Sequence, residues 1–302
     1  MKRLISVLFV SVLLALPLGM SAQTNNWESQ GDYCEGLAWV VGDNGMCGYI
    51  NKTGKVVIPC KWKAAGNFSE GLAAVQDSDG KWGYIDKKGK VVIPYKWKAA
   101  GYFSEGLAAV QDFNGMCGYI NKTGKAVVPC KWKVAGSFSD GLASVVDAND
   151  KYGFIGKTGK VLIPCQWEMS WGFNEGLAQV KDANGKYSFI DKTGKVVIMC
   201  KWGYSGWFSE GLAWVRDTSG MYGFIDKTGE IVIPCQWKNA RSFSEGLACV
   251  KNADGKYGYI DKTGKVVIPC TWDFADDFKD GKAEVVNGDD SCYIDKTGKV
   301  IK

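Results

Sequence analysis

From Trp27 onward, short runs of alternating apolar and polar residues are separated by glycine-rich turns. In one stretch, Gly71-Leu72-Ala73-Ala74-Val75-Gln76 alternates and is bounded by Gly and Asp, which predicts a strand. Asp77-Ser78-Asp79-Gly80-Lys81 carries turn chemistry, and Trp82-Gly83-Tyr84-Ile85-Asp86 predicts a second strand. A further turn, Asp86-Lys87-Lys88-Gly89-Lys90, places Gly where a three-residue hairpin needs a left-handed residue. The β-branched run Val91-Val92-Ile93 predicts a third strand, ended by Pro94. The segment from Trp97 to Ser104 reads as a connector carrying Phe103. No apolar stripe of helical period has useful length, so little helix is expected.

This pattern recurs every 35 residues. An acidic-Gly pair starts at Glu35, Glu70, Glu105, Asp140, Glu175, Glu210, Glu245 and Asp280, and a Trp column runs from Trp27 to Trp272 at the same interval. Eight units therefore fill residues 27–302, the last one residue short. The expected fold is all-β: eight 35-residue three-stranded β-meander repeats in an open twisted or superhelical array. A closed eight-bladed propeller is the alternative. Blades usually have four strands, so three strands per unit favour the open form.

The motifs Lys81-Trp82-Gly83-Tyr84-Ile85-Asp86, Gly89-Lys90-Val91-Val92-Ile93-Pro94 and Phe103-Ser104-Glu105-Gly106-Leu107-Ala108 recur in phase. In them the chain resembles the WG-repeat family, also called KWG repeats, over everything after Asn26. The name-giving Trp survives only at Trp82. Cys47, Cys117, Tyr152, Tyr187, Tyr222 and Tyr257 fill its column elsewhere. The resemblance implies a bacterial, often exported β-repeat module and no particular activity.

Lys2 and Arg3 precede an apolar run from Leu4 to Leu18, too short for a comfortable membrane span, and small residues come after it around Ala22. Residues 1–22 are thus expected to be a cleaved signal peptide and 23–26 a short linker, giving an exported product in the periplasm, at the outer surface or secreted. No transmembrane segment is expected after cleavage. The formal charge of +5 falls to about +3 once Lys2 and Arg3 are removed, and no block of like charge occurs, which speaks against a nucleic-acid partner.

The chain has no His, which removes His-based nucleophile activation and His metal sites, and it has no Cys-x-x-Cys knuckle. An enzyme, a metal site and a cofactor are therefore not expected. The Asp77–Gly80 stretch lacks the spacing of a calcium loop. Asn51-Lys52-Thr53 and Asn121-Lys122-Thr123 match a glycosylation acceptor but stand where most units have a turn-forming Asp. Of eleven Cys, six occupy one column. Cys47 with Cys60, and Cys117 with Cys130, lie across one hairpin each and are the two candidate disulfides. Pairing Asn51 with Lys55 puts Cys60 opposite Met46, one residue out of register, unless a bulge at Pro59 corrects it.

Residues repeated in every unit are more simply core than site. Recognition is therefore sought in the positions that vary. The Ala74 column holds Trp39, Ala109, Ser144, Gln179, Trp214, Cys249 and Glu284, and the connector holds Tyr102, Trp171, Trp207 and Arg241. Trp39, Tyr102, Trp171, Trp207, Trp214, Arg216 and Arg241 are the candidate binding residues. Exposed aromatics of this kind suit a protein or peptide partner, as a binding or scaffolding module, or alternatively an envelope glycan. Clustering of Trp171, Trp207 and Trp214 with Lys181 or Arg216 would mark a true site.

The eighth unit is expected to act as a polar cap. Lys282 stands where every other unit has Leu, and a position that has lost its apolar contact can carry charge without desolvation cost.

Overall fold

A computed structural model describes residues 27–301. The expected signal peptide at 1–22 and linker at 23–26 lie outside them. All regular structure among the described residues is β, in eight antiparallel sheets of four strands each. Sheet two is representative: Ala64–Ala65, Leu72–Gln76, Trp82–Asp86 and Val91–Trp97, hydrogen-bonded in that order.

The expectation of three strands per unit is thus corrected to four. The extra strand comes from the connector, where Ala64 and Ala65 pair with Gln76 and Val75. That pairing satisfies backbone groups along the free edge of the second strand. Two residues are too few to show a sequence period.

The remaining segments match the expected meander. The Asp77 carboxylate accepts the backbone N–H groups of Asp79 and Lys81 at 2.9 Å, so this stretch is a turn stabilised by its own side chain. Asn51 does the same for Thr53 and Lys55 in the hairpin after it.

The third and fourth strands pair with two register shifts. Trp82 faces Trp97, Tyr84 faces Ile93, and Ile85 faces Val91. The bulged chain crowds the glycine between Trp82 and Tyr84: a Cβ on Gly83 would lie 2.6 Å from the Ile93 carbonyl oxygen. Only glycine fits there without moving backbone.

The same bulge decides the cysteines. In the first sheet Cys47 pairs with Trp62, and Cys60 lies against Gly48. In the third sheet Cys117 packs in the core shared with sheet four, while Cys130 packs in the core shared with sheet two. Neither expected bridge, Cys47–Cys60 nor Cys117–Cys130, is formed, and all four thiols are free. The bulge turns the second cysteine of each pair to the other face of its sheet.

Core lies between successive sheets. Leu37, Tyr49, Ile58 and Trp62 of sheet one meet Phe68, Ala73, Val75 and Ile85 of sheet two. At seven junctions a Tyr or Phe of the third strand meets the Phe of the next connector, with ring centroids 4.8–5.1 Å apart. These two ring columns are the deepest. The Trp column is shallower than expected: Trp62, Trp132 and Trp237 are buried, but Trp97, Trp167, Trp202 and Trp272 are half-buried at the rim of each junction. Where Tyr95 replaces Cys, its hydroxyl accepts the Trp62 indole N–H at 2.9 Å.

The acidic-Gly pair is a staple between units. Glu105 itself takes a positive φ of 52°, and its carboxylate accepts the Gly141 N–H at 3.1 Å and meets the Lys157 ammonium at 3.0 Å. Burial pushes the Glu105 carboxyl upward, but the Lys157 and backbone N–H contacts outweigh it and hold it below its ordinary range. The same arrangement joins every junction from Glu35–Lys87 to Glu245–Lys296.

Between sheets eight and one, the described residues form neither a strand pairing nor a core cluster nor a staple. Tyr33 and Tyr293, which would supply the eighth ring pair, are 37% and 45% exposed. Lys282 is exposed, as expected of a cap, with its ammonium 4.7 Å from the Tyr293 ring centroid. Closure is therefore not seen. The array nevertheless curves: Tyr102 of sheet three and Trp207 of the connector into sheet six line one cavity, so the connector segments of sheets three to six come together on one side.

Candidate functional site: an aromatic cleft between the fifth and sixth sheets

Sheet five departs from the repeat. Ser188 occupies the crowded glycine position, and Met199 replaces the proline of the fourth strand. The two changes belong together. A side chain at 188 is incompatible with the double bulge, and a residue with an N–H at 199 allows Ser188 to pair directly with Met199. The fourth strand then stops at Val196–Met199, whereas its counterparts in sheets one to four, six and seven run seven residues to the Trp column.

The connector into sheet six is altered as well. It reads Gly203-Tyr204-Ser205-Gly206-Trp207, where sheet four has Lys133-Val134-Ala135-Gly136-Ser137. Here a cleft of about 380 Å³ opens, within the size range of small-ligand sites. Trp171, Tyr187, Tyr204, Trp207 and Trp214 form its aromatic walls, and Gln179, Ser205 and Ser242 supply polar groups. No carboxylate, amine or thiol lines it.

Volume exchange between paired strands builds these walls. The first-strand residue and the second-strand residue eight positions later are bonded neighbours: Gly206 N–H donates to Trp214 O at 2.9 Å, and Trp171 N–H to Gln179 O at 3.0 Å. Gly206 makes room for Trp214, since a Cβ there would lie 2.2 Å from the indole nitrogen. One unit earlier the bulk is on the other member, with Trp171 opposite Gln179. Two indoles thus enter the junction from neighbouring sheets without colliding.

The polar floor also departs from the repeat. Ser170 and Ser205 stand in a column that is otherwise Ala from Ala65 to Ala275. Gln179 is buried, and its side-chain amide donates to the Ser205 hydroxyl. The Ser170 hydroxyl is buried without a hydrogen-bond partner. In regular units a tyrosine hydroxyl caps the connector carbonyl, as Tyr84 does for Gly101 at 2.8 Å and Tyr119 for Gly136 at 2.7 Å. Phe154, Phe189 and Phe224 take that position in sheets four to six, so no such hydroxyl reaches the carbonyls of Trp171, Gly206 and Arg241.

Of the residues expected to bind, the structure brings Trp171, Trp207 and Trp214 together. Arg216 stands behind them, 5.7 Å from the Tyr222 ring, which packs on Trp214 at 5.4 Å. Lys181 has the same place over Tyr187, whose ring is 5.9 Å from Trp171. The cations therefore back the aromatic walls and are not part of the lining. Arg241 is drawn away to Asp276 at 2.6 Å and lies over Phe274. Trp39 repeats the Trp214 arrangement over Gly31 in the first sheet, apart from the cleft. Tyr102 is 57% exposed and lines a neighbouring cavity.

Column-by-column reading did not select Tyr187, Tyr204, Gln179, Ser205 or Ser242 as binding residues. One signal was present: five departures from the repeat, at 171, 179, 188, 199 and 207, fall within 37 residues.

The fold and this site define an all-β repeat protein whose common columns make core and whose irregular unit makes a cleft. The model of the WG containing repeat matches seven consecutive segments, at 48–82, 82–117, 118–152, 152–187, 187–218, 222–257 and 257–289, and the chain belongs to that family. No curated protein matches it in sequence. Among solved structures the chain is similar to a eukaryotic initiation factor, with TM-score 0.63, 11% identity, and coverage of 92% of this chain and 89% of the other. It is also similar to the computationally designed Ika8 protein, with TM-score 0.51, 13% identity and coverage of 89% and 93%. BamB from Moraxella catarrhalis gives TM-score 0.50 at 11% identity, with coverage of 90% and 94%. At these identities the likeness is one of fold alone.

Proposed function

We propose that the protein is an exported, non-catalytic binding module that holds a neutral saccharide in the cleft between the fifth and sixth sheets. The carrying observation is the convergence of Trp171, Trp207 and Trp214 on a lining without charged side chains. Sugar rings present apolar C–H faces to indoles and hydroxyls at their edges. The Gln179 amide and the Ser205 and Ser242 hydroxyls can both donate and accept, which a sugar hydroxyl requires. The carbonyl of Gly206, left without a tyrosine hydroxyl, adds an acceptor. A peptide or protein partner is the competing ligand. A peptide in an aromatic groove of this type presents mainly carbonyl acceptors, and the mixed donor and acceptor floor suits it less well.

The test is a calorimetric titration of the mature protein with neutral disaccharides built from glucose, N-acetylglucosamine, mannose or xylose, beside proline-rich and mixed-sequence peptides. Saccharide binding that quenches tryptophan fluorescence and is lost in Trp214→Ala supports the reading. Peptide binding with no saccharide binding overturns it. Export is tested separately, by cell fractionation and by sequencing the mature N-terminus, which is expected near Gln23.

A further inference from the structure

Trp207 lines two cavities at once. One is the cleft just described. The other, of about 420 Å³, lies along the connectors of sheets three to six and ends at Tyr102. Ser137, Ser139 and Ser144 put three hydroxyls between these two rings, with Gly136 and Gly172 keeping the path low. A Cβ on Gly136 would come within 2.6 Å of the Ser144 hydroxyl, so glycine is what keeps that hydroxyl uncovered.

The chemistry of the second cavity matches that of the first. Its lining is hydroxyl, amide, glycine and aromatic ring, with no carboxylate, amine or guanidinium. Trp207 and Tyr102 are each 57% exposed, so both rings are presented to solvent rather than spent on the core. Trp207 and Tyr102 also occupy one column of the repeat, three units apart, with Ser137 and Gly172 between them. The curvature of the array therefore turns a single repeated position into two aromatic platforms facing one polar path.

We infer that the ligand is a linear neutral oligosaccharide long enough to cross both cavities, with Trp171 and Trp214 holding one end, Trp207 shared in the middle and Tyr102 holding the far end. This rests on the saccharide reading of the cleft and extends it from a single sugar site to a row of subsites. Stacking on successive rings adds affinity with each sugar that reaches a platform, and a mono- or disaccharide leaves Tyr102 unused.

The experiment is a titration of the mature protein with neutral oligosaccharides of one to six residues, from the series of the disaccharide that binds best, repeated with Tyr102→Ala and Trp207→Ala. Both side chains are exposed, and unchanged melting temperatures will confirm that the variants fold. Affinity is expected to rise at least tenfold from disaccharide to hexasaccharide. Tyr102→Ala should abolish that rise while leaving disaccharide affinity unchanged, and Trp207→Ala should weaken both ligands. Equal affinity for disaccharide and hexasaccharide, or a hexasaccharide affinity untouched by Tyr102→Ala, overturns the extended path and leaves the cleft as a single sugar site. Absence of binding by every saccharide, with peptide binding in its place, overturns both.

Discussion

The junction between sheets three and four and the junction between sheets five and six share their framework and differ in almost everything around it. Both have the staple, Glu105 with Lys157 in one and Glu175 with Lys227 in the other. Both have the deep ring pair, Tyr119–Phe138 at 4.9 Å and Phe189–Phe208 at 5.1 Å. At the first junction Gly118, Pro129, Gly101 and Ala109 stand where the second has Ser188, Met199, Trp171 and Gln179. The fourth strand there runs Ala126–Trp132, against Val196–Met199. Variation between the two junctions thus falls on residues that the staple and the ring pair do not use. The framework residues tolerate it because the bulkiest changes are compensated by a neighbour: Ser188 by Met199, Trp214 by Gly206.

The largest expected effect separates framework from cleft. Trp132→Ala removes a buried indole and should cost about 3–5 kcal/mol, whereas Trp207→Ala should cost less than about 1 kcal/mol. Chemical denaturation measures both, and equal losses would break the division. Next is the bulge. Gly118→Ser places a Cβ 2.5 Å from the Val128 carbonyl oxygen and should cost about 3 kcal/mol, while Ser188→Gly should change stability by about 1 kcal/mol or less. A harmless Gly118→Ser would mean that the fourth strand adapts without a matching change at Pro129.

Acid should then weaken both junctions alike. Glu35, Glu70, Glu105, Glu175 and Glu245 are held below the ordinary carboxylate range. For Glu35 and Glu245 the lysine contact is the main cause. For Glu70, Glu105 and Glu175 burial opposes the shift, and the lysine and backbone contacts overcome it. A lowered folded value means stabilisation that is present above the unfolded value and lost as pH falls through the folded one. The melting temperature should accordingly decline below about pH 5, and Glu105→Gln and Glu175→Gln should each flatten that decline by a similar amount. A flattening confined to one of them would show that the staples are not equivalent. The smallest effect concerns the uncapped carbonyl. Phe189→Tyr should restore a hydroxyl to Gly206 O, raise stability by about 0.5–1 kcal/mol and weaken saccharide binding. Unchanged binding would remove that carbonyl from the site.

Much of this was legible in the residues because one 35-residue phrase states the turn chemistry, the three main strands and the apolar alternation eight times. The Leu-to-Lys change at 282 marked the exposed end in the same way. The first strand of each sheet was not legible, since in every sheet but the third it is only two residues long and carries no period. Nor was the reach of the staple: Glu105 looks like a turn residue until Gly141 and Lys157, 36 and 52 positions later, are seen beside it. The disulfide expectation failed because a register shift, which depends on how tightly backbone can pass Gly48 and Gly118, decides which face a cysteine occupies.

The candidate site divides along the same line. Trp171, Trp207 and Trp214 stand out in sequence as departures from their columns. Tyr187 does not, because Tyr is the usual residue of its column, and its place in the cleft comes from packing on Trp171. By itself the sequence determined what repeats, what each unit must bury and where the pattern breaks, since these arise from local alternation and turn chemistry. Only the tertiary structure decided which breaks face one another. Curvature of the array sets how Tyr102 and Trp207, 105 residues apart in the chain, come to line one cavity, and curvature is the summed result of small rotations at each junction that no single unit encodes.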